Sequence, residues 1–336
     1  MKPLSDQQRL YLVESDQLYR AWRQARWRSH DYRYGMRWKT VNNAEYLVRL
    51  RDAKGNGKSL GRRSGETEDL YERFITGKQL AEQTLQGLTQ RMQTQGRLNR
   101  ALRLGRMPTI VGSILLRLDE TRALKDLRVI GTHALFAYES MAGAEFKVEL
   151  LASGDVDLLF DGRKKIALLA KKLENQGLIE LLPLLRKADN SFTVSSSDAF
   201  RAINKDGFMV DFITQDKGML SESPAPMAAH DLAAVEVPNL EWLANAPRIE
   251  QVVISADGQP VMMPVPDPRA FALHKAWLSQ QIDREPVKKQ RDLNQARMLG
   301  ECLRDYLPNF SLEPDAIAKM KYLPKEMIDR SLALIL

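Results

Sequence analysis

Apolar positions recur with a helical period at both ends of the chain and with a period near two in short stretches of its middle. Residues 5–30 place Leu10, Leu12, Leu18, Tyr19, Trp22 and Trp27 among Arg, Gln, Asp and Glu, the pattern of an amphipathic helix with a basic polar side. Residues 36–50 alternate polar and β-prone side chains, and the glycines of 54–58 mark a turn, so a short hairpin is predicted there. Helical spacing returns over 67–96, with Thr67 and Asp69 as start signals, and over 107–124, where Pro108 suits a first turn.

The middle of the chain reads differently. Residues 127–130 form a short apolar strand, Gly131-Thr132 a turn, and 133–141 a helix. Residues 145–151 are expected to be strand or hairpin. A strand from Asp155 ends at Asp161-Gly162, and a helix is predicted over 163–175, closed by Gln176-Gly177. Further strands are predicted at 192–194 and 208–213, then a proline-bearing loop at 221–226 and a hairpin of 252–254 with 261–263 around Asp257-Gly258. Pro264, Pro266 and Pro268 are expected to stop regular pairing after it, and 271–281, 288–306 and the tail read as helical. The alternation of short strands with helices defines an α+β chain.

With 336 residues, two or three domains are expected. The net charge of +7 is uneven: residues 1–110 carry 22 Lys and Arg against 11 Asp and Glu, and the remainder 28 against 32. This sets a basic module on a nearly neutral body and points to an anionic partner for the first third. A single cysteine, Cys302, forms no internal disulfide and reads as a small core residue in a reducing compartment. No window has the run of about 18 apolar residues that a membrane span needs, and the first residues have no apolar leader, so a cytoplasmic location with no membrane partner is expected.

The chemistry concentrates in Ser153-Gly154-Asp155-Val156-Asp157-Leu158-Leu159-Phe160. Alternate side chains of a strand share a face, so Asp155 and Asp157 can reach one hard divalent cation while the apolar residues anchor the backbone. Asp211, between Val210 and Phe212, adds a third strand-borne acid. Gly131-Thr132 offers backbone N–H groups and a hydroxyl at a helix start, where an anion is favoured. Three rigidly held carboxylates suit two-metal transfer of a phosphoryl or nucleotidyl group.

Gly131-Thr132, then Asp155-Val156-Asp157-Leu158-Leu159, then Val210-Asp211-Phe212 together resemble the nucleotidyltransferase superfamily, whose fold is shared with DNA polymerase beta. More narrowly, residues from about 127 to 300 are similar to a bacterial nucleotidyltransferase-fold family of undefined substrate, including Pro266-Asp267-Pro268-Arg269-Ala270-Phe271-Ala272-Leu273-His274-Lys275 and Lys288-Lys289-Gln290-Arg291-Asp292-Leu293. The resemblance implies a mixed sheet with helices, in a catalytic core at 111–225 and a C-terminal hairpin and helical subdomain at 226–336; charge and periodicity set before it a basic, mainly helical region with a hairpin at 1–110. It further implies Mg²⁺ or Mn²⁺ held by Asp155, Asp157 and Asp211 as catalytic and metal residues, and an NTP held by Gly131, Thr132 and Lys275; Arg284 and Lys289, from the nearby basic group, read separately as further triphosphate contacts. Two departures stand out: Thr132 replaces the commoner serine, and the gap from Thr132 to Asp155 is longer than in minimal members.

The activity so implied is Mg-dependent transfer of an NMP from an NTP, ATP among the candidates, to a hydroxyl of RNA, tRNA or protein, with release of pyrophosphate. A D-x-D glycosyltransferase and a non-catalytic nucleic-acid-binding or toxin–antitoxin partner protein remain alternatives. The arginines interleaved with Tyr19, Trp22, Trp27, Tyr32, Tyr34 and Trp38 read either as core packing or as a grip on RNA through phosphates and bases. Lys275 reads as a solvated lysine or a phosphate contact, and Arg284, Lys288, Lys289 and Arg291 as an exposed basic helix face or an anion site. Gly57-Lys58-Ser59 is no P-loop, because Asp52 stands where that motif needs glycine. His30, His133, His230 and His274 lack metal-ligand spacing.

Overall fold

The structure, a computed structural model, describes residues 1–160, 180–215, 232–237 and 239–336. The helix expected over 163–175, the loop at 221–226 and His230 lie outside the described residues. The chain divides into two compact units, residues 14–97 and residues 1–13 with 98–336.

The smaller unit is built from the parts of two long helices, α1 (Asp6–Asp31) and α2 (Gly65–Ala101), that fall within it, and the strands β2 (Met36–Val41), β3 (Ala44–Leu50) and β4 (Gly57–Arg62) between them. The helices run antiparallel: Gln95 donates to Ser15, Trp22 to the hydroxyl of Thr89, and Tyr32 packs on Phe74, so each step up one helix is a step down the other. Gly77 leaves room for Tyr32 at this crossing, since a Cβ there would lie 2.4 Å from the Tyr32 hydroxyl. The predicted hairpin is in fact a three-stranded antiparallel meander in the order β2-β3-β4. Its third strand was hidden because Gly57-Lys58-Ser59-Leu60-Gly61-Arg62 has little β propensity; pairing with β3 supplies what propensity does not.

The larger unit carries the mixed sheet. Its strands β5 (Leu127–Ile130), β7 (Asp155–Phe160), β10 (Met209–Gln215), β9 (Arg201–Ile203) and β8 (Thr193–Val194) lie in that order, with β11 (Val235–Val237) pairing the far end of β10. β7 and β10 are parallel, in register Asp157↔Asp211. Val156, Leu158, Val210 and Phe212, which share the face opposite the acids, are almost wholly buried, so that face of both strands is covered by the core. Burial of each such side chain contributes about 1.5–3 kcal/mol, and this fixes the acids on a stiff platform.

Two expectations need correction. Residues 145–151 are mainly helical: a two-residue strand β6 (Ala144–Glu145), paired with β1 (Lys2–Pro3), is followed by the short helix α5 (Val148–Leu151). Regular pairing also continues through Pro264 and Pro266, because β12 (Arg248–Ile254) and β13 (Pro260–Pro266) form an isolated two-stranded ladder. Pro260, Pro264 and Pro266 lie an even number of residues apart and so share one side of the strand edge, where none needs to donate to the partner strand. Helix α8 (Pro268–Leu278) packs beside this ladder, and α9 (Pro286–Tyr306) and α11 (Lys325–Ile335) pack on α8 and on each other. Cys302 is buried, as expected of a core residue. Among the described residues, no helix is long and apolar enough to cross a membrane.

Candidate active site

The site grows out of sheet register. Alternation puts Asp155 and Asp157 on one face of β7, and the parallel register sets Asp211 beside Asp157 on the same face. The three carboxylates each bring an oxygen within 4.8 Å of the others. On the other side of Asp211, across the antiparallel pair, stands Arg201. A single row across three strands therefore reads Asp157, Asp211, Arg201.

Arg201 grips Asp211 with both arms of its guanidinium, Nε to Oδ1 at 2.7 Å and Nη2 to Oδ2 at 2.7 Å. This fork neutralises one of the three acids in the absence of any cation. Asp155 is held differently, by the hydroxyl of Ser153. Asp157 carries the strain of the cluster: burial first, then the charges of Asp155 and Asp211, push its carboxyl up to about 7, against the opposing pull of Lys275 and Arg201. Such an excess of negative charge, on hard oxygen donors fixed by strands, fits a divalent cation of the Mg²⁺ or Mn²⁺ type.

Gly131 closes the site from β5. It has φ +67°, and a Cβ on it would lie 2.0 Å from Oδ2 of Asp157. Only glycine lets the turn and the carboxylate share this space. Thr132 follows in a short 3-10 turn and is itself buried; its hydroxyl accepts from Nη2 of Arg291 at 3.1 Å and from Nε2 of Gln295 at 3.3 Å. Arg291 also donates to the carbonyl of Ala152, and Gln295 to that of Leu150 at 2.7 Å. Helix α9 thus ties the Gly131-Thr132 turn to the segment that leads into the Asp155 strand. His133 is fully buried between Phe136 and Phe208, and burial pulls its imidazole down to about 4, so it is neutral at pH 7.

Lys275 is not solvated. It is 5% exposed on α8, with its ammonium 2.7 Å from Asp292 of α9, whose other oxygen takes Arg284 at 2.8 Å. Losing one partner of so buried a pair costs about 3–5 kcal/mol, whereas exposed pairs such as Arg20 with Asp16 contribute about 1 kcal/mol or less. Arg284 joins the cluster through Asp292. Lys288 pairs with Glu285, and Lys289, half-buried on α9, makes no side-chain hydrogen bond or ion pair with another described residue. The four basic residues of this stretch therefore do not form one exposed face: Arg291 turns to the Gly-Thr turn and Arg284 to Asp292.

Arg201, Gln295 and Asp292 have no role assigned from sequence, and Arg291 reads there only as part of a basic helix face or anion site. A signal existed for Arg201, since Phe200-Arg201-Ala202-Ile203 alternates and Asn204-Lys205-Asp206-Gly207 is a turn leading into the Asp211 strand. For α9, a polar residue contacting a site 159 or 163 positions away leaves no local trace.

A mixed sheet that carries a Gly-Thr turn and three converging acids defines the nucleotidyltransferase class. The family model described as nucleotidyltransferase matches residues 109–320, more than half of the chain, and the protein belongs to that family. It is accordingly an enzyme that transfers nucleotidyl groups. No curated protein and no solved structure gives a significant match.

Proposed function

We propose that the protein transfers an NMP from an NTP to an acceptor hydroxyl, with Asp155, Asp157 and Asp211 as its metal-binding and catalytic acids. The observation that carries this reading is the convergence of the three carboxylates on adjacent parallel strands, beside a turn that tolerates only glycine. Mg²⁺ or Mn²⁺ bound by these acids would neutralise triphosphate charge and make the acceptor hydroxyl a better nucleophile. Asp155 and Asp157 provide most of the donor oxygens, and Asp211 orients the acceptor and takes its proton. Gly131 and Thr132 face the triphosphate, with Arg291 bracing the turn from behind.

Lys275 acts on the site through its charge near Asp157 and anchors α8 to α9; Arg284, held by Asp292, and Lys289 of α9 would add positive charge for the β and γ phosphates. In the reaction the acceptor oxygen forms a bond to the α-phosphorus. The bond from that phosphorus to its bridging oxygen breaks, and pyrophosphate leaves with the electron pair. Positioning and charge neutralisation carry most of the acceleration, as in phosphoryl transfer generally.

The test is to incubate the protein with Mg²⁺ or Mn²⁺, cell extract and each NTP labelled at the α or the γ phosphate. Label entering a macromolecule or small acceptor from the α position, and appearing in pyrophosphate from the γ position, is the expected result. Incorporation of γ label would mean kinase-type transfer, and transfer of a sugar from a nucleotide sugar would mean a glycosyltransferase; either contradicts the proposal.

A further inference from the structure

The small unit presents a face that nucleotidyl transfer does not explain. In the meander of residues 36–62, alternation divides the side chains between two sides. One side carries Trp38, packed on Tyr71 of α2, the wholly buried Leu47, and Arg49 over the ring of Phe74. The other side is open. It forms a depression of about 700 Å³ whose lining includes Arg37, Lys39, Arg62, Tyr46, Asn42 and Ser59 and no carboxylate.

Register makes this face ordered rather than merely basic. Lys39 pairs with Tyr46, and Tyr46 with Arg62, so two cations flank one tyrosine in a single row across three strands. Arg37 lies two residues along from Lys39 on the same face. Arg37, Lys39 and Arg62 are all exposed, and none is in an ion pair with another described residue. By contrast Arg63, on the packed side, is held between Glu45 and Glu68. Acids are present in the unit, but none of them lines this depression.

The aromatic residues that sequence alone made equally good candidates are already engaged. Arg23 covers Trp27, Arg26 covers Trp22, Arg33 covers Tyr34 and Arg63 covers Trp38. Tyr46 has no such cover among the described residues. An open sheet face with cations outside any ion pair around a tyrosine matches the demands of a single strand: phosphates for the cations and a base to stack on the ring. Asn42 and Ser59 offer groups able to bond a ribose 2′-hydroxyl.

We propose that this open face of the meander binds single-stranded RNA, through Arg37, Lys39 and Arg62 on phosphates and Tyr46 on a base. Its role as the acceptor rests on the nucleotidyl transfer reading above; the binding itself does not. The test therefore omits NTP and metal and follows a labelled mixed-sequence oligoribonucleotide on the full chain by fluorescence anisotropy over a salt series. Three phosphate contacts predict a slope of log affinity against log salt near about −2. In the variant Arg37→Ala/Lys39→Ala/Arg62→Ala that slope should fall towards zero and affinity by about a hundredfold at low salt, with thermal unfolding unchanged. Tyr46→Ala should weaken binding about tenfold and leave the slope intact.

A control variant, Arg73→Ala/Arg91→Ala/Arg97→Ala on α2, removes the same charge elsewhere and should retain the slope. Equal losses in the two triple variants, an unaltered slope in the first, or tighter binding of polyglutamate than of RNA would each overturn the proposal. Because no nucleotide is present, a failure here is distinct from a failure of label transfer.

Discussion

At the scale of single residues, Asp157 is the group most altered by the fold. Its carboxyl, normally near 3.8, is pushed up to about 7 by burial and by the two neighbouring acids. Cation binding must then displace a proton below that pH. Apparent Mn²⁺ affinity, measured by calorimetry, should rise about tenfold per pH unit up to about pH 7 and level off above it. Gly131 is the complementary case, where the constraint is space. Gly131→Ala combines a left-handed backbone with a Cβ 2.0 Å from the Asp157 carboxylate. The variant should lose at least about a hundredfold in transfer rate while stability drops by only about 1–2 kcal/mol in thermal unfolding. Equal loss of both would mean that the glycine serves the fold alone.

Among elements, the hairpin of β9 and β10 decides how the site is kept before a cation enters. Arg201 satisfies both oxygens of the buried Asp211, so removing it leaves a carboxylate without its fork. Arg201→Met should cost on the order of 2 kcal/mol without metal, after allowing for the part of Arg201 that faces solvent. Added Mn²⁺ should restore more stability to this variant than to the parent, read as the shift in melting temperature. Elements of this kind were only half legible in the chain. The strand of Asp155 and Asp157 was legible because the two acids precede an apolar run, and its chemistry because Gly131-Thr132 and Asp211 stand with it in the sequence. β9 did not: it is three residues long and depends on its partners for its existence. Helix 5–30 and the helices after 268 were readable from period alone, while Pro264 and Pro266 misled because an isolated two-stranded ladder spares prolines that a central sheet would reject.

For the whole molecule, charge was legible before structure but its placement was not. The basic excess of the first third is split between cations covering their own aromatic rings and cations gathered on one sheet face, a division that only register reveals. Global stability should also record two buried groups of opposite sign. His274, stacked on Trp277, is pulled down from 6.5 to about 3 by burial, so the folded state stays neutral while the unfolded chain takes up a proton below about pH 6.5. Stability is therefore lost as pH falls from 6.5 towards 3, and His274→Phe should flatten that loss in denaturant melts at pH 6.5 to 4. The raised Asp157 acts in the opposite sense, removing stability as pH rises from about 4 to 7 until a cation takes the place of the proton.

The most direct measurement is the rate of α-label transfer by the single variants Asp155→Asn, Asp157→Asn and Asp211→Asn, each compared with the parent in Mg²⁺ or Mn²⁺. Three carboxylates acting as one cation-holding unit predict a loss of at least about a thousandfold in every variant, with cooperative unfolding retained. Parental rates in any one of them would contradict the assignment of that acid, and parental rates in all three would contradict the account.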